Sequence, residues 1–354
     1  MSFSQKLLHW YLENGRDLPW RKTKDPYVIW LSEIILQQTR VEQGMPYFLR
    51  FVETFPNVKA FADADEETIL RLWQGLGYYS RARNMHKAAK MVMDEFHGVF
   101  PQAYADVIRL PGIGEYTAAA ISSFSVNEAR AVLDGNVYRV LSRYLGEQSP
   151  INSGQGKKIF TALAQEMLDK QSPGLYNQAI MDFGAIQCRP KNPLCEDCIF
   201  RLDCTAFKED RVDSLPVKLK GKASRNRYFH YFILRAEEQM LMSKRGQDDV
   251  WANLYEFPML ETTDDLSIPD LIAQEDFEQY FKPDTVLCPV GTQVKHVLSH
   301  QNIYARFYQV EDIQMLKKKK KNWHYYYFEK IDKLAKHKLI FSFLEKNSQL
   351  LETE

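Results

Sequence analysis

The chain has 354 residues, and its 46 Lys and Arg residues balance 46 Asp and Glu residues, so the formal net charge is zero. This balance excludes a protein that attracts polyanions with its whole surface, and the length suits two domains that each bury a core. The sequence has no apolar run long enough to cross a membrane, and its N-terminal segment suits an amphipathic helix better than a signal peptide. We therefore expect a cytoplasmic protein without membrane contact.

The spacing of apolar residues divides the chain into two parts. From residue 3 to about residue 187 the spacing is helical, whereas strand-like alternation begins in the string NRYFHYFILRA near residue 226. The segment between them is charged, lacks apolar periodicity and contains a proline and a glycine, which is typical of a linker. The sequence therefore predicts an all-α domain over 1–207, a linker over 208–225 and an α+β domain over 226–354.

An early helix places a carboxyl group among apolar neighbours. The string PYVIWLSEIILQQT predicts a helix whose buried stripe includes Tyr27, Trp30 and Ile34. At about 100° per residue, Glu33 lies beside that stripe. Apolar surroundings raise the pKa of a carboxyl group, and an acid that keeps its proton near neutral pH can act as a general acid. The alternative is a glutamate at the helix edge that pairs with an arginine.

A glycine-rich turn separates two helical segments in the string LPGIGEYTA, residues 110–118. Pro111 ends the first helix, while Gly112 and Gly114 permit positive φ and a close approach of the backbone to a ligand. The free N–H groups at the start of the second helix suit a phosphate. This is the helix-hairpin-helix pattern, which binds a DNA phosphate without contacting bases, although a plain αα-hairpin has the same signature.

A second candidate carboxylate is Asp134, which precedes the predicted helix GNVYRVLSRYL. Its position is that of an N-cap residue. Because an N-capping carboxylate accepts backbone N–H groups, we expect it to be ionised. An ionised Asp134 can also stabilise a cation that develops nearby.

Four of the five cysteines form a cluster in the sequence. A secreted disulfide framework would spread them along the chain, whereas this density indicates a metal or cluster site. Structural zinc sites usually combine two C-x2-C pairs, and only one is present here, so the spacing favours one 4Fe-4S cluster over zinc without deciding between them. The expected ligands are Cys188, Cys195, Cys198 and Cys204.

The second half contains several strand-like strings. QMLMSKR suits the return strand of a hairpin after NRYFHYFILRA. Further strand candidates are LYEFPML, DTVLCPV, QVKHVLS and NIYARFYQV, with one helical stretch at PDLIAQEDFEQYF. This mixture predicts an α+β domain.

The hairpin LPGIGEYTA, the aspartate of LDGNVYRV and the cysteine loop occur in the order that resembles the helix-hairpin-helix DNA glycosylases related to endonuclease III. The strings LPWR, WLSEIILQQTRV, GLGYYSRARN and NQAIMDFGAIQC resemble the MutY-type branch, and the resemblance covers most of residues 1–207. It implies a glycosylase that removes adenine from A:8-oxoguanine or A:G mispairs in double-stranded DNA. Lyase-type relatives have a catalytic lysine where this chain has Tyr116, so the resemblance also implies a monofunctional enzyme.

The resemblance assigns catalytic roles to four residues. Glu33 matches the acid that protonates adenine N7, and Asp134 matches the carboxylate that faces the oxocarbenium-like sugar. Tyr116 and Asn136 are similar to residues that position Glu33 and the sugar intermediate. For Tyr116, helix packing is the other interpretation.

Other matched positions concern DNA, since the adenine must leave the base stack before it reaches these carboxyl groups. Gln38 and Tyr78 match intercalating residues of the family, and Thr39 and Leu76 are expected on the same surface. For Tyr78 the alternative is a core aromatic residue.

The second half is similar to the Nudix-related domain with which MutY-type enzymes recognise 8-oxoguanine. The similarity lies in LYEFP and in HVLSH, which make Ser299 and His300 candidates for contact with the damaged strand. Leu298 replaces the phenylalanine of the family pattern, and His300 has a structural histidine as its alternative interpretation. The glutamate-rich helix of Nudix hydrolases is missing, so we expect this domain to bind nucleotides without hydrolysing them.

Two other functions are consistent with these residues. One is a helix-hairpin-helix glycosylase for oxidised pyrimidines or thymine mismatches, and the other is a non-catalytic iron–sulfur protein that binds DNA. In each case we expect a monomer, which would associate with the nucleoid in a bacterium.

Overall fold

The computed structural model describes residues 1–221, 224–247 and 249–351. Contacts divide the chain into two compact units. Unit 1 comprises Met1–Asp63 and Asn84–Lys220, and unit 2 comprises Ala64–Arg83 and the chain from Gly221 onward. Residues 64–83 thus cluster with the second half of the chain, which their local sequence pattern does not indicate. Two residues of the predicted linker, 222 and 223, lie outside the described residues.

The chain up to Lys208 is helical. Its helices are α1 (Phe3–Asn14), α2 (Pro26–Ile35), α3 (Val41–Thr54), α4 (Val58–Asp63), α5 (Glu66–Leu72), α6 (Ser80–Glu95), α7 (Tyr104–Val107), α8 (Glu115–Val126), α9 (Gly135–Leu145), α10 (Gly154–Met167), α11 (Pro173–Ile186) and α12 (Thr205–Lys208), with a short 3-10 helix at Pro19–Arg21. The predicted all-α region is confirmed. In the described part of the chain, each helix is too short or too polar to traverse a lipid bilayer.

Local sequence explains where the first helices begin. Ser2 caps α1 in a capping box with Gln5, and the side chain of Asp25 accepts a hydrogen bond from the backbone N–H of Tyr27 at the start of α2. The apolar core of unit 1 joins α1, α9, α10 and α11. It includes Leu7, Trp10, Val137, Val140, Leu141, Phe160, Ala179, Ile180 and Phe183. Burial of these side chains fixes the loops that precede α9 and follow α11.

Unit 2 contains two antiparallel or mixed sheets. Its strands are β1 (Arg225–Ile233), β2 (Arg235–Ala236), β3 (Gln239–Lys244), β4 (Tyr255–Glu256), β5 (Met259–Thr262), β6 (Leu287–Pro289), β7 (Val294–Val297), β8 (Gln301–Val310) and β9 (Trp323–Tyr327). Its further helices are α13 (Ile268–Ile272), α14 (Glu275–Glu278), α15 (Phe328–Ile331) and α16 (Lys338–Lys346), with 3-10 helices at Ile313–Met315 and Ser348–Leu351. One sheet has the order β5-β1-β8-β6 with β7 also on β8, and the other has β2-β3-β4 with β9 on β3.

The prediction of an α+β second half is confirmed, but the predicted pairing of strands in the hairpin is only partly correct. Strand β2 pairs with β3 as predicted, whereas β1 pairs in parallel with β8 and antiparallel with β5. Alternation along a strand shows that one face is buried and does not show which strand lies beside it. The predicted helical stretch is confirmed as α13 and α14, whereas α15 and α16, which follow β9, were not predicted.

Candidate active site

The four predicted catalytic residues meet in one cavity of unit 1. Glu33, Tyr116, Asp134 and Asn136 all line a cavity of about 670 Å³, which we call the Glu33 cavity. Gln38 and Thr39 line it as well. These residues come from α2, α8, α9 and the loop after α2, so the fold brings together side chains that are far apart in the sequence.

Glu33 lies on α2 in apolar surroundings. Every residue from Ile29 to Ile35 is buried, and Glu33 itself is only 8% exposed. Burial raises the pKa of Glu33 to about 7, against the opposing effect of a hydrogen bond from Tyr116. The other interpretation of the sequence was a Glu33 that pairs with an arginine. The group that donates a hydrogen bond to Glu33 is instead a phenol, that of Tyr116. Glu33 therefore has the pKa that a general acid needs near neutral pH.

Tyr116 contacts Glu33 directly. Its hydroxyl donates a hydrogen bond to Glu33 Oε2 at 2.7 Å and lies 3.8 Å from the sulfur of Met181. Burial raises the pKa of Tyr116 well above its ordinary value, and the charge of Glu33 adds to this effect. Tyr116 is consequently a neutral hydrogen-bond donor over the whole physiological pH range. This contact favours the positioning role over simple helix packing.

Asp134 is the N-cap of α9, as its sequence position suggests. Its Oδ1 accepts the backbone N–H groups of Asn136 at 2.9 Å and Val137 at 2.8 Å, and its Oδ2 accepts the side-chain amide of Asn136 at 2.8 Å. Capping alone would lower the pKa of Asp134. Burial, which the local sequence does not show, raises that pKa above its ordinary value despite these hydrogen bonds.

Asn136 connects Asp134 to an arginine. While its amide nitrogen donates to Asp134, its Oδ1 accepts a hydrogen bond from Arg139 at 2.9 Å. Arg139 also donates to the carbonyl oxygens of Gly184 at 2.7 Å and Cys188 at 2.7 Å. The orientation of Asn136 is therefore fixed from both ends of its amide.

Two arginines near the Glu33 cavity were not singled out from the sequence. Arg16 and Arg21 both bind the fully buried carboxylate of Asp182, with shortest distances of 2.6 Å each. Burial opposes ionisation of Asp182, but hydrogen bonds from Arg21 and Arg16 outweigh it and lower its pKa. In the sequence analysis Arg21 appeared only as part of the string LPWR and was given no role of its own. Its partner lies 161 residues away, a separation over which spacing rules predict nothing.

The glycine-rich turn has the predicted helix–turn–helix form. Gly112 has φ +79°, and a Cβ there would lie 2.6 Å from the Cβ of Asn84, so this position requires glycine. Gly114 instead has φ −100° and is the N-cap of α8, so it does not use the positive φ that a glycine permits. Because glycine offers no side-chain cap, the first N–H groups of α8 are available to a ligand such as a phosphate.

The other predicted DNA contacts differ in exposure. Gln38 is exposed and adopts a left-handed φ of 55°, and Tyr78 is 46% exposed with a φ of 49°. Leu76 is only 7% exposed, so the structure does not place its side chain on the expected surface. Left-handed backbone at two bulky residues is a strained feature that is common at functional sites.

Ser299 and His300 lie in the turn between β7 and β8, where both are exposed, so His300 does not lie on a strand as the sequence suggested. The Ser299 hydroxyl is 3.1 Å from the hydroxyl of Tyr78, and both belong to unit 2. Together with Leu298 and Trp251 they line a cavity of about 510 Å³, which we call the Ser299 cavity. The fold thus joins an expected intercalating residue to an expected lesion-contacting residue.

The four clustered cysteines lie around one cavity in the loop after α11. They share it with Val140, Phe183 and Leu194. Burial raises the pKa of Cys198 to about 12. Two donors approach the sulfurs, since Arg143 lies 3.4 Å from Cys188 Sγ and the backbone N–H of Phe200 lies 3.4 Å from Cys198 Sγ. Within the described ranges, no group of three or more His, Cys, Asp or Glu side chains could hold a single metal ion.

Comparison with known proteins places these features in two families. Residues 31–166 match the family described as HhH-GPD superfamily base excision DNA repair protein, and residues 230–346 match the NUDIX domain family. These matches confirm the predicted helix-hairpin-helix and Nudix-like domains.

Proteins named adenine DNA glycosylase are similar over most of the chain. That of Buchnera aphidicola from Schizaphis graminum is 40% identical, covering 73% of this chain and 75% of that protein. That of Buchnera aphidicola from Baizongia pistaciae is 36% identical, covering 85% of this chain and 84% of the relative.

Solved structures support the same fold. A thermostable thymine-DNA glycosylase has a TM-score of 0.55 and 29% sequence identity over 58% of this chain and 95% of its own. A trapped endonuclease III–DNA covalent intermediate has a TM-score of 0.51 and 19% identity over 58% of this chain and 94% of its own, a likeness of fold alone.

Proposed function

This chain belongs to the adenine DNA glycosylases, and we propose that it hydrolyses the N-glycosidic bond of adenine mispaired with 8-oxoguanine or guanine in double-stranded DNA. The observation that carries the proposal is the Glu33 cavity. It combines a buried acid whose pKa is raised to about 7 with a second carboxyl group, Asp134, at a capped helix start. Two carboxyl groups in unlike environments are what acid-catalysed cleavage of a glycosidic bond requires.

In this mechanism Glu33 is the general acid. Because its pKa is raised to about 7, Glu33 can carry a proton near neutral pH. Transfer of this proton to N7 makes adenine a better leaving group, so the bond between the sugar and N9 breaks as the ring accepts its electrons. Tyr116 holds the carboxyl group in place through its 2.7 Å hydrogen bond.

The sugar that remains has oxocarbenium character and needs a nearby negative charge. Three hydrogen bonds from Asn136 and Val137 favour the ionised form of Asp134, which can stabilise this cation. Water then adds to the anomeric carbon, and the carboxylate left on Glu33 accepts the proton that this water loses, which completes the hydrolysis and restores the acid. No lysine lines the described part of the Glu33 cavity, which agrees with hydrolysis in place of a Schiff-base step.

DNA binding follows from the need to extrude the base. The helix-hairpin-helix turn at Gly112 and Gly114 would bind a phosphate, while Gln38 in unit 1 and Tyr78 in unit 2 would each act as an intercalating residue when adenine leaves the base stack. Ser299 and His300 would contact the strand that carries 8-oxoguanine. Leu76 and Thr39 would act as neighbours of the intercalating residues rather than as wedges.

The cysteine loop would hold one 4Fe-4S cluster. A single zinc ion needs its ligands at one point, whereas each cysteine of a 4Fe-4S cluster binds a different iron atom. Four cysteines around one cavity, with a single C-x2-C pair among them, favour the cluster. Its contribution when bound is to stabilise the loop between α11 and α12, and no step of the reaction depends on it.

Excision assays on a panel of duplexes test the proposal. We expect release of adenine opposite 8-oxoguanine and, more slowly, opposite guanine, with no release from T:G or thymine glycol duplexes. Cleavage of thymine glycol or T:G alone would favour the related glycosylases of other specificity. Binding of all duplexes without release of any base would favour a non-catalytic DNA-binding protein.

Metal analysis tests the cofactor separately. A protein with the cluster is brown and contains iron and acid-labile sulfide, whereas a zinc protein is colourless. Cys198→Ser should lose the colour. Cys288→Ser, a matched change in unit 2 where the thiol donates a hydrogen bond to Glu311, should keep it. Stoichiometric zinc in the unchanged protein would overturn the assignment.

A further inference from the structure

Five consecutive lysines of unit 2, residues 317–321, have no role in the reaction proposed above. We call this segment the lysine loop. It lies between the 3-10 helix Ile313–Met315 and β9, and four of its five side chains are exposed, whereas that of Lys320 is half-buried. A run of lysines is often a solvated loop without a partner, so its anchoring and its neighbouring charges decide whether it can bind a ligand.

Backbone hydrogen bonds fix both ends of the lysine loop. The N–H of Lys317 donates to the carbonyl oxygen of Tyr280 at 2.8 Å, and the N–H of Trp323 donates to that of Lys320 at 2.9 Å. Trp323 is the first residue of β9, is only 3% exposed and belongs to the core of unit 2. The loop is therefore attached to folded structure on either side.

Two of the ammonium groups on this loop have neutral neighbours. Lys317 Nζ donates a hydrogen bond to the carbonyl oxygen of Glu278 at 3.0 Å, and Lys319 Nζ lies 5.1 Å from the centre of the Tyr325 ring. Such contacts orient a lysine without cancelling its charge. Within the ranges that the structure describes, none of the five lysines forms an ion pair with a carboxylate.

Acidic residues influence mainly the half-buried member of the loop. Burial lowers the pKa of Lys320, and the charges of Asp276 on α14 and of Glu256 oppose this effect. Lys320 Nζ lies 4.8 Å from the centre of the Tyr280 ring and 5.5 Å from that of Trp323, so this side chain lies against the protein. The exposed members of the loop, which direct their charge to solvent, are Lys317, Lys318, Lys319 and Lys321.

Exposed ammonium groups without carboxylate partners suit a regular polyanion. Five extended residues span at most roughly 17 Å. Since a DNA duplex carries one negative charge per ~1.7 Å of its axis, each exposed lysine can face a phosphate. Because the formal net charge of the whole chain is zero, attraction to DNA has to come from local surfaces such as this one. A lipid surface is a poorer match, since no large apolar side chain within residues 311–326 is exposed and could enter a membrane.

We propose that the lysine loop is a further DNA-binding surface, which binds the phosphates of undamaged duplex DNA without regard to sequence. The inference goes beyond the contacts proposed around the mispair and rests on the proposed function only in that the ligand is double-stranded DNA. Phosphate contacts of this kind raise the affinity for any duplex, so they lengthen the time that a glycosylase spends on DNA between mispairs. The loop therefore affects DNA binding and leaves the release of adenine unchanged.

The salt dependence of binding to an undamaged duplex tests this surface. Each lysine–phosphate contact contributes about −0.9 to the slope of the logarithm of the association constant against the logarithm of the salt concentration. The loop variant keeps the anchoring Lys317 and the half-buried Lys320. Its three changes are Lys318→Gln, Lys319→Gln and Lys321→Gln. We expect the slope, measured by fluorescence anisotropy in KCl, to become shallower by roughly 1 to 3, with weaker binding at low salt.

Two further variants separate the local charge from other effects. The first removes the same number of charges from exposed lysines of unit 2 that follow the opposite end of β9. Its changes are Lys330→Gln, Lys333→Gln and Lys346→Gln. This charge control should keep the slope of the unchanged protein. The second variant has arginine at the three changed positions of the loop and should also keep that slope, because the charge persists.

The inference is overturned if the loop variant keeps the slope of the unchanged protein, or if the charge control loses as much of it as the loop variant does. An unchanged slope combined with lost binding to vesicles of phosphatidylglycerol would assign the loop to lipid headgroups instead. With saturating enzyme, single-turnover release of adenine should be equal in the loop variant and the unchanged protein. If the proposed function fails, no adenine is released by either protein, but the slopes are still measured and still decide the inference.

Discussion

Each of the two units contains a buried glutamate that accepts a hydrogen bond from a tyrosine. In unit 1, Tyr116 donates to Glu33 at 2.7 Å. In unit 2, Tyr231 donates to Glu256 at 3.0 Å, and Glu256 is only 4% exposed. The two sites have the same local chemistry up to this point, yet the pKa of Glu33 is raised to about 7 and that of Glu256 is lowered.

The difference lies in the cations. Burial would raise the pKa of Glu256, but a hydrogen bond from His337 and the charge of Arg245 outweigh it, and Arg245 contacts both carboxylate oxygens at 2.7 and 2.9 Å. Near Glu33 the available cation is Arg21, whose terminal nitrogens bind Asp182 instead. Burial therefore dominates at Glu33, whose hydrogen-bond donor is a phenol, whereas direct contact with a guanidinium outweighs burial at Glu256.

Replacing Glu33 should give the largest effect. Glu33→Gln keeps the shape of the side chain and its hydrogen bond to Tyr116 but removes the transferable proton. We expect single-turnover release of adenine to fall by about two to four orders of magnitude, the range for loss of a general acid. Binding of the same duplex should persist. An unchanged rate of release would refute the role of Glu33 and remove the contrast between the two glutamates.

The corresponding change in unit 2 should act on stability. Glu256→Gln leaves the guanidinium of Arg245 buried without its bidentate partner, so we expect a loss of about 3–5 kcal/mol in the free energy of unfolding. Urea denaturation measures it. The release rate per folded molecule should change far less than in Glu33→Gln. If Glu256→Gln proved as stable as the unchanged protein, Arg245 would not be the group that distinguishes the two sites.

The pH dependence of stability should have opposite signs at the two sites. The pKa of Glu33 is about 7 in the folded protein and 4.5 as the ordinary value, so the folded state binds the extra proton between these pH values. Stability therefore falls as pH rises through this window, by about 3 kcal/mol in total. Glu256 has a lowered pKa, so its contribution is present above the ordinary value and is lost as pH falls.

Denaturation of the unchanged protein and of Glu33→Gln between pH 4.5 and about 7 isolates the contribution of Glu33 to the pH dependence of stability. Glutamine has no proton to lose, so the variant should gain stability relative to the unchanged protein as pH increases from 4.5 to about 7. A constant difference across the window would mean that Glu33 titrates near its ordinary value. The general-acid mechanism would then lose its electrostatic basis.

The sequence predicted part of this contrast. Glu33 was expected to be an acid because apolar neighbours lie within one helical turn of it, and Asp134 was expected to be an N-cap because a predicted helix begins directly after it. Both inferences use positions within a few residues. Asp182, which binds Arg21, could not be predicted, because the two residues come from segments 161 residues apart. Local sequence spacing likewise could not predict that β8 lies beside β1 or that residues 64–83 cluster with unit 2.

The smallest predicted effect concerns the tyrosine hydrogen bond, a feature that the two sites have in common. The hydrogen bond from Tyr116 lowers the pKa of Glu33, so Tyr116→Phe should raise that pKa further. A net hydrogen bond of about 1 kcal/mol corresponds to roughly 0.7 of a pH unit. In a plot of release rate against pH, the unchanged enzyme should lose activity above about pH 7, and the variant should lose it at higher pH.

The rate at the low-pH plateau gives the second part of this test. If Tyr116 also holds Glu33 in position, the plateau of Tyr116→Phe is lower while its descending limb is shifted upward. Tyr231→Phe is the matched change in unit 2, where the charge of Arg245 keeps Glu256 ionised, so the pH profile of base release should not move. A lower plateau with an unshifted limb would leave Tyr116 with a packing role alone, because loss of packing changes the geometry around Glu33 without removing a donor from its carboxylate.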